Sequence, residues 1–279
     1  MSSAVRDLFR RAVAELTTPG VEAPSAEAAA LISELCGISP AEVPVSARIV
    51  TPAEAAAFRE CLRRRLDREP LQYIFGKAYF YDLELEVTPA VLIPRPATEL
   101  LVDRVLELLP ETGSLLDLGT GSGAIALAAA KHRPRAHVVG AELSPEALRI
   151  ARNNLCRLGF DNVELVQSDL FSALGGQRFD VIAANLPYVP EADRPLLAPE
   201  VALREPASAL FAAGNGMAVI LRALDGTAEH LDPGGHAIYE LDPRQALPVA
   251  RRMAELGFAP TIRRDLAGRE RFVEGALER

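Results

Sequence analysis

The chain has no tryptophan, three cysteines and four histidines among 279 residues. Each shortage removes a class of protein. Cys36, Cys61 and Cys156 stand far apart with no C-x-x-C pair, so no disulfide framework can be written. A reducing cytoplasm is the expected compartment. Each cysteine sits in a helical-looking stretch and reads as core. His132, His137, His230 and His236 lack zinc-ligand spacing, so no metal is expected. No apolar run approaches the ~18 residues of a membrane span, and the charged opening stretch lacks a signal peptide's apolar core. Net charge is −8, which disfavours a general nucleic-acid binder, because phosphate contacts need Lys and Arg.

What is present supports a full-size core. Hydrophobic residues make up 49% of the chain, which excludes a disordered protein, and its length allows two domains. The first ~70 residues read as helical by spacing. Val5, Leu8, Phe9, Ala12, Val13 and Leu16 recur at intervals of three and four, one stripe of an amphipathic helix. Ser2 or Ser3 is expected to cap it. Pro24 opens a second helix that stops at Gly37, and Thr51-Pro52 starts a third. Arg59, Arg63, Arg64, Arg65 and Arg68 crowd this third helix. They read first as a solvated face paired with Glu60 and Asp67, and second as a docking patch for an acidic protein or RNA.

From Tyr79 the apolar period changes to two, as in a hairpin strand, and Pro89, Pro94 and Pro96 then punctuate the chain. The expected organisation is a helical domain at 1–78, a hairpin linker at 79–97 and an α/β domain at 98–279. Strands are expected near 114–118, 136–141, 162–167, 179–184, 235–241, 258–264 and 270–275, with helices in most gaps. Such alternation implies an α/β fold with a parallel sheet covered on both faces; the last two strands form a hairpin, so one edge is antiparallel.

Two segments carry the chemistry. Leu115-Leu116-Asp117-Leu118 runs into Gly119-Thr120-Gly121-Ser122-Gly123. Glycines at a strand-to-helix turn let a ligand approach backbone amides. Glu142 ends the next strand, where an acid can grip ribose hydroxyls; this fits NAD or S-adenosylmethionine. Asp117 favours the latter, whose sulfonium and amino groups are cationic, whereas a pyrophosphate would be repelled. Asp169 could accept from an adenine amino group, or cap a helix, and Leu170 could pack on the ring.

Asn185-Leu186-Pro187-Tyr188 follows the apolar run 179–184. The Asn185 side-chain oxygen can accept one hydrogen of a planar –NH2 group. Pro187 forces Leu186 to be extended, which can aim the Leu186 carbonyl at the second hydrogen. Tyr188 offers an aromatic wall. An amide or exocyclic amine is a poor nucleophile, so positioning would carry much of the catalysis.

These motifs resemble those of the release-factor glutamine N5-methyltransferases, the HemK/PrmC family. The resemblance spans nearly the whole chain. It includes Glu69-Pro70-Leu71-Gln72-Tyr73-Ile74-Phe75-Gly76, Leu92-Ile93-Pro94-Arg95-Pro96-Ala97-Thr98-Glu99, the glycine turn, Asp169, Asn185-Leu186-Pro187-Tyr188, Arg204-Glu205-Pro206, Gly214-Asn215-Gly216 and the closing hairpin from Asp265 to Arg271.

The family implies a helical N-terminal domain, a seven-stranded Rossmann-like methyltransferase domain, and S-adenosylmethionine converted to S-adenosylhomocysteine. It implies peptide-chain release factors as the protein substrate, through the glutamine of their Gly-Gly-Gln loop. Gly119, Thr120, Gly121, Ser122, Gly123, Glu142, Leu170 and Asn185 should line the cofactor. Asn185 to Tyr188 should hold the amide, with Arg95 and Glu99 shaping the entry. The family's tetrapeptide is Asn-Pro-Pro-Tyr; Leu186 departs from it towards the Asn-Leu-Pro-Tyr of ribosomal-RNA dimethyladenosine transferases. Ala97 stands where the family usually has an acid, and Arg204 where it usually has Phe. An adenine-N6 methyltransferase, a small-molecule methyltransferase and a non-catalytic binding partner are the competing readings. Charge disfavours the first and the retained acids the last.

Overall fold

The computed structural model describes residues 3–18 and 20–277. By internal contacts the chain forms two units, Met1–Gly76 with Leu197–Arg204, and Lys77–Leu196 with Glu205–Arg279.

The first unit contains α1 (Val5–Leu16), α2 (Pro24–Cys36), α3 (Pro52–Leu66) and a short α4 (Leu71–Phe75). Val5, Leu16, Leu31, Ile32, Phe58 and Leu62 are buried together as its core. The cap of α1 is Ala4, not a serine: Ser3 lies one residue too early, and its carbonyl accepts from Val50 N–H. Helix α2 ends on Gly37 at φ 64°. Helix α3 begins with a full capping box: the Glu54 N–H donates to Thr51 Oγ1 at 3.2 Å, and the Thr51 N–H donates to Glu54 Oε2 at 2.8 Å, worth about 1 kcal/mol.

Within the arginine cluster Arg59 and Arg63 are exposed, while Arg65 is buried. Arg65 is 5% exposed and bridges Glu27 at 2.6 Å and Glu200 at 2.8 Å. Arg64 pairs with Glu69, and Arg63 with Glu60. The solvated-face reading holds for Arg63; Asp67, however, pairs with Arg204. A short helix, Pro199–Arg204, supplies Glu200 and Arg204 to this unit.

The second unit opens with a hairpin of β1 (Lys77–Phe80) and β2 (Leu83–Glu86), then α5 (Pro96–Leu108). Next come β3 (Ser114–Leu118), α6 (Ala124–His132), β4 (His137–Glu142), α7 (Pro145–Leu158), β5 (Val163–Gln167) and β6 (Phe179–Ala184). After a pair of two-residue strands, Val189–Pro190 and Phe211–Ala212, follow a helix Ala218–Thr227, a strand Leu231–Glu240, a helix Ala246–Glu255 and the strands Phe258–Arg264 and Glu270–Leu277. The hairpin belongs to this unit's core, where Phe80, Leu83 and Leu85 are buried.

In the seven-stranded sheet, β3 is the middle one of five parallel strands, flanked by β4 then β5 on one side and by β6 then Leu231–Glu240 on the other. Glu270–Leu277 and Phe258–Arg264 add the antiparallel edge. Period-two alternation divides the strands between two cores. Leu115, Val138 and Val181 face α5 and α6, while Leu116, Val139 and Ile182 face the helices Ala218–Thr227 and Ala246–Glu255. Strand order reverses between β3 and β6, so a crevice opens outside their carboxyl ends. The glycine turn and the Asn185 tetrapeptide leave the sheet there.

Among the described residues no helix is long and apolar enough to cross a membrane.

Candidate active site

The turn between β3 and α6 places Gly119 at φ 70° and Gly121 at φ 58°. A Cβ on Gly119 would come within 2.9 Å of Leu186 Cδ2, so the turn and the tetrapeptide are in van der Waals contact and only glycine fits. Glu142, at the end of β4, braces the turn: its Oε2 accepts from Gly121 N–H and its Oε1 from Ser144 N–H, both at 2.9 Å.

Asp117 is fully buried beneath the turn. Its Oδ2 accepts from Thr120 Oγ1 at 2.6 Å and from Ala126 N–H at 3.1 Å. Its Oδ1 is buried with no hydrogen-bond partner among the described residues. Burial pushes this carboxyl up to about 7, against the pull of the Thr120 and Ala126 hydrogen bonds.

After β5, Asp169 meets Arg222 at 2.9 Å, and both line the cavity. Leu170 is held at φ 52°; a left-handed leucine costs about 1–2 kcal/mol. The Ser168 hydroxyl restrains it by donating to the Leu170 carbonyl at 2.7 Å.

The tetrapeptide is fixed from two sides. Asn185 Nδ2 donates to Thr98 Oγ1 at 3.0 Å, and the Thr98 hydroxyl donates to Glu240 Oε2 at 2.7 Å. Asn185 Oδ1 therefore has no hydrogen-bond partner among the described residues. The Tyr188 hydroxyl donates to Glu240 Oε1 at 3.4 Å. Gln245 Nε2 donates to the Tyr188 carbonyl at 2.8 Å and to the Asn215 carbonyl at 3.0 Å. Gly216, at φ 82°, passes so near that an added Cβ would lie 2.0 Å from the Tyr188 carbonyl oxygen. Burial raises the Glu240 carboxyl above the usual carboxylate range, opposed by Thr98 and by the Arg271 and Arg95 charges. Burial, with the Glu240 charge, pushes the Tyr188 hydroxyl up to about 12.

One cavity thus gathers Gly119, Thr120, Gly121, Ser122, Glu142, Asp169, Leu170, Asn185, Leu186 and Pro187. Five expected residues do not line it. Asp117 and Gly123 lie behind the turn, and Tyr188 packs behind Pro187 against Glu240. Arg95 pairs with the buried Glu205 at 2.6 Å, and Glu99 accepts from Tyr81 N–H in the hairpin turn at 2.8 Å. Their segment contributes Pro94 and Thr98 to the wall instead.

Thr98, Glu240, Arg222 and Gln245 were not legible as site residues. One signal was available for Glu240: like Glu142, it is an acid that closes an apolar strand.

Comparison with known proteins agrees with this architecture. The methyltransferase small domain family matches residues 95–235, and the PrmC N-terminal domain family matches residues 7–76. The release factor glutamine methyltransferase of Geobacter sulfurreducens is 40% identical over 264 residues, 94% of this chain and 93% of that protein. The protein of the same name from Deinococcus radiodurans is 38% identical over 96% of this chain and 97% of its own length. A methyltransferase structure from Pyrococcus furiosus, at 22% identity, superposes with a TM-score of 0.56 over 78% of this chain and 98% of that one, which shows the shared fold. With relatives this similar along nearly their whole length, the chain belongs to the release factor glutamine methyltransferase family and is an N-methyltransferase.

Proposed function

We propose that the protein transfers a methyl group from S-adenosylmethionine to the side-chain nitrogen of a glutamine, in the Gly-Gly-Gln loop of peptide-chain release factors. One observation carries this reading: the Asn185 amide is turned so that its acceptor oxygen, and not its –NH2, is left without a partner at the cavity edge. An acceptor there suits a substrate that brings N–H donors.

The residues present fit the cofactor. Gly121 would point a Cβ into space where the nearest atom, the Gly119 carbonyl oxygen, is 3.9 Å away. Asp117 keeps a buried acceptor beneath the turn, and Glu142 closes the adjoining strand. Two carboxylates favour a cationic ligand over a pyrophosphate. When bound, the cofactor supplies an electrophilic methyl on a sulfonium.

The remaining work falls to this chain. Asn185 Oδ1 and the Leu186 carbonyl accept the two amide hydrogens and hold the nitrogen's lone pair towards the methyl carbon. Such alignment supplies roughly 7–11 kcal/mol in favourable intramolecular cases. Acceptors on both N–H groups also favour positive charge growing on nitrogen in the transition state. Pro187 stiffens the loop, and Gln245 with Gly216 fixes it from behind.

The test offers three acceptors side by side with labelled cofactor: a release factor, its Gln→Ala loop variant, and ribosomal RNA. Label on the first alone, located on the glutamine by mass spectrometry, supports the reading. Label on the RNA would replace it with adenine-N6 methylation.

A further inference from the structure

Glu240 lies at the carboxyl end of the strand beside β6, is 1% exposed, and is bonded to two members of the acceptor machinery at once. We propose that Glu240 is a positioning residue which, acting through the Thr98 hydroxyl, sets the Asn185 amide with its oxygen and not its nitrogen towards the cavity. The inference rests on the reading that the acceptor is a planar –NH2 group.

The argument follows donors and acceptors along a three-member chain. Burial works against ionisation of Glu240, but the Thr98 and Tyr188 hydroxyls and the Arg271 and Arg95 charges favour its ionised form, and in that form a carboxylate only accepts. The Thr98 proton must therefore point at Glu240 Oε2, 2.7 Å away. A hydroxyl has a single proton, so Thr98 Oγ1 can offer Asn185 only lone pairs. The Asn185 atom 3.0 Å from it must then be Nδ2, and Oδ1 is left facing the cavity. Reversed, the amide would confront the substrate's –NH2 with a second –NH2, two donors with no acceptor between them. The second carboxylate oxygen meets the Tyr188 hydroxyl at 3.4 Å, so the same group restrains both ends of the tetrapeptide. Neither Thr98 nor Glu240 contributes an atom to transfer; each acts through Asn185.

Glu240→Gln is close to isosteric but breaks this polarity. A glutamine can donate to Thr98 as well as accept from it, which frees the Thr98 proton to bond Asn185 Oδ1. Expected for Glu240→Gln is a kcat loss of roughly tenfold or more, with cofactor Kd and melting temperature close to those of the parent. Thr98→Val should match it, Thr98→Ser should recover kcat relative to Thr98→Val, and the double variant should be no worse than the worse single one. The Asn185 side-chain amide protons, followed by NMR with cofactor bound, should be protected in the parent and lose protection in Glu240→Gln and Thr98→Val. A parental kcat in Glu240→Gln, multiplicative losses in the double variant, or unchanged Asn185 amide signals would each overturn the inference. The NMR measurement involves no acceptor, so it judges the relay even if the release factor proves not to be the substrate.

Discussion

On α3, Arg63, Arg64 and Arg65 all meet carboxylates, and Arg65 meets two. At the carboxyl edge of the sheet, Asp117 Oδ1 and Asn185 Oδ1 have no hydrogen-bond donor among the described residues. Arg65 and Asp117 are both held out of water, yet only the arginine is paired at each end of its guanidinium. Where charges are mutually paired, the arrangement supports the fold. Where an acceptor is held in place by neighbours on a cavity wall, as at Asn185, the arrangement suits an incoming donor. The arginine cluster, read in sequence first as a solvated face and second as a docking patch, is thus mainly paired with carboxylates, and the asparagine of the tetrapeptide keeps an acceptor unpaired among the described residues.

The strongest way to break this contrast is Asn185→Ala. Methyl transfer should fall by about 10²–10³-fold, as on removal of a single preorganised polar group from a reacting centre. Cofactor affinity, read by calorimetry, should stay near the parental value. Equal loss of both would mean that the open oxygen serves cofactor binding.

Gly216→Ala comes next. Its Cβ would collide with the Tyr188 carbonyl, whereas a Cβ on Gly214 meets nothing nearer than 3.7 Å. Both glycines have positive φ, so Gly214→Ala controls for backbone strain. The 216 variant should lose a further ~1–3 kcal/mol of stability in denaturant unfolding, and activity with it. Equal losses would show that the tetrapeptide does not depend on that close approach.

Arg65→Met sharpens the other side. Breaking fully buried pairs costs about 3–5 kcal/mol, and the partial solvent access of Glu27 and Glu200 should reduce this to about 2–3 kcal/mol in chemical denaturation. Per-site cofactor affinity should hold; a lost cofactor site would contradict the structural assignment.

Asp117 gives a smaller, pH-dependent effect. Burial lifts its folded pKa to about 7, above the unfolded ~3.9. Its protonated form therefore favours folding, a contribution present at acid pH and lost as pH rises through about 7. A cationic ligand favours the ionised form, so cofactor binding should tighten between pH 6 and pH 8, and Asp117→Asn should flatten that slope. A pH-independent Kd in the parent would remove Asp117 from cofactor recognition.

Arg63→Glu should do least. The residue is exposed, and among the described residues it pairs with Glu60 three positions away. Melting temperature and the KM for release factor should both stay put. A raised KM would restore the docking-patch reading.

The sequence carried the sheet well, because buried strands such as 114–118 and 179–184 are short apolar runs between strong turn signals. It also carried the glycine turn and the tetrapeptide, whose residue types are rare in combination. It could not carry the pairing of Thr98 with Glu240, since 142 residues separate them and a hydrogen bond from the first turn of a helix to the end of a strand leaves no local pattern. The same holds for Gln245, whose 57-residue reach to Tyr188 depends on how a loop returns. Arg95 and Glu99 were expected at the entry because their segment is distinctive; the structure uses that segment's Pro94 and Thr98 for the wall. Leu170's left-handed backbone had no signal at all, because leucine is the wrong residue to advertise it.

Leu186 fills the space that a side chain at 119 would need. The loop proposed to hold the cofactor and the loop proposed to hold the acceptor are therefore built as a single interlocking joint. Transplanting the Asn-Pro-Pro-Tyr version from a relative would leave a void beneath the glycine turn. The exchange should become neutral only when the turn is transplanted along with it, which makes the pair, and not either loop alone, the unit in which this enzyme's selectivity can be rebuilt.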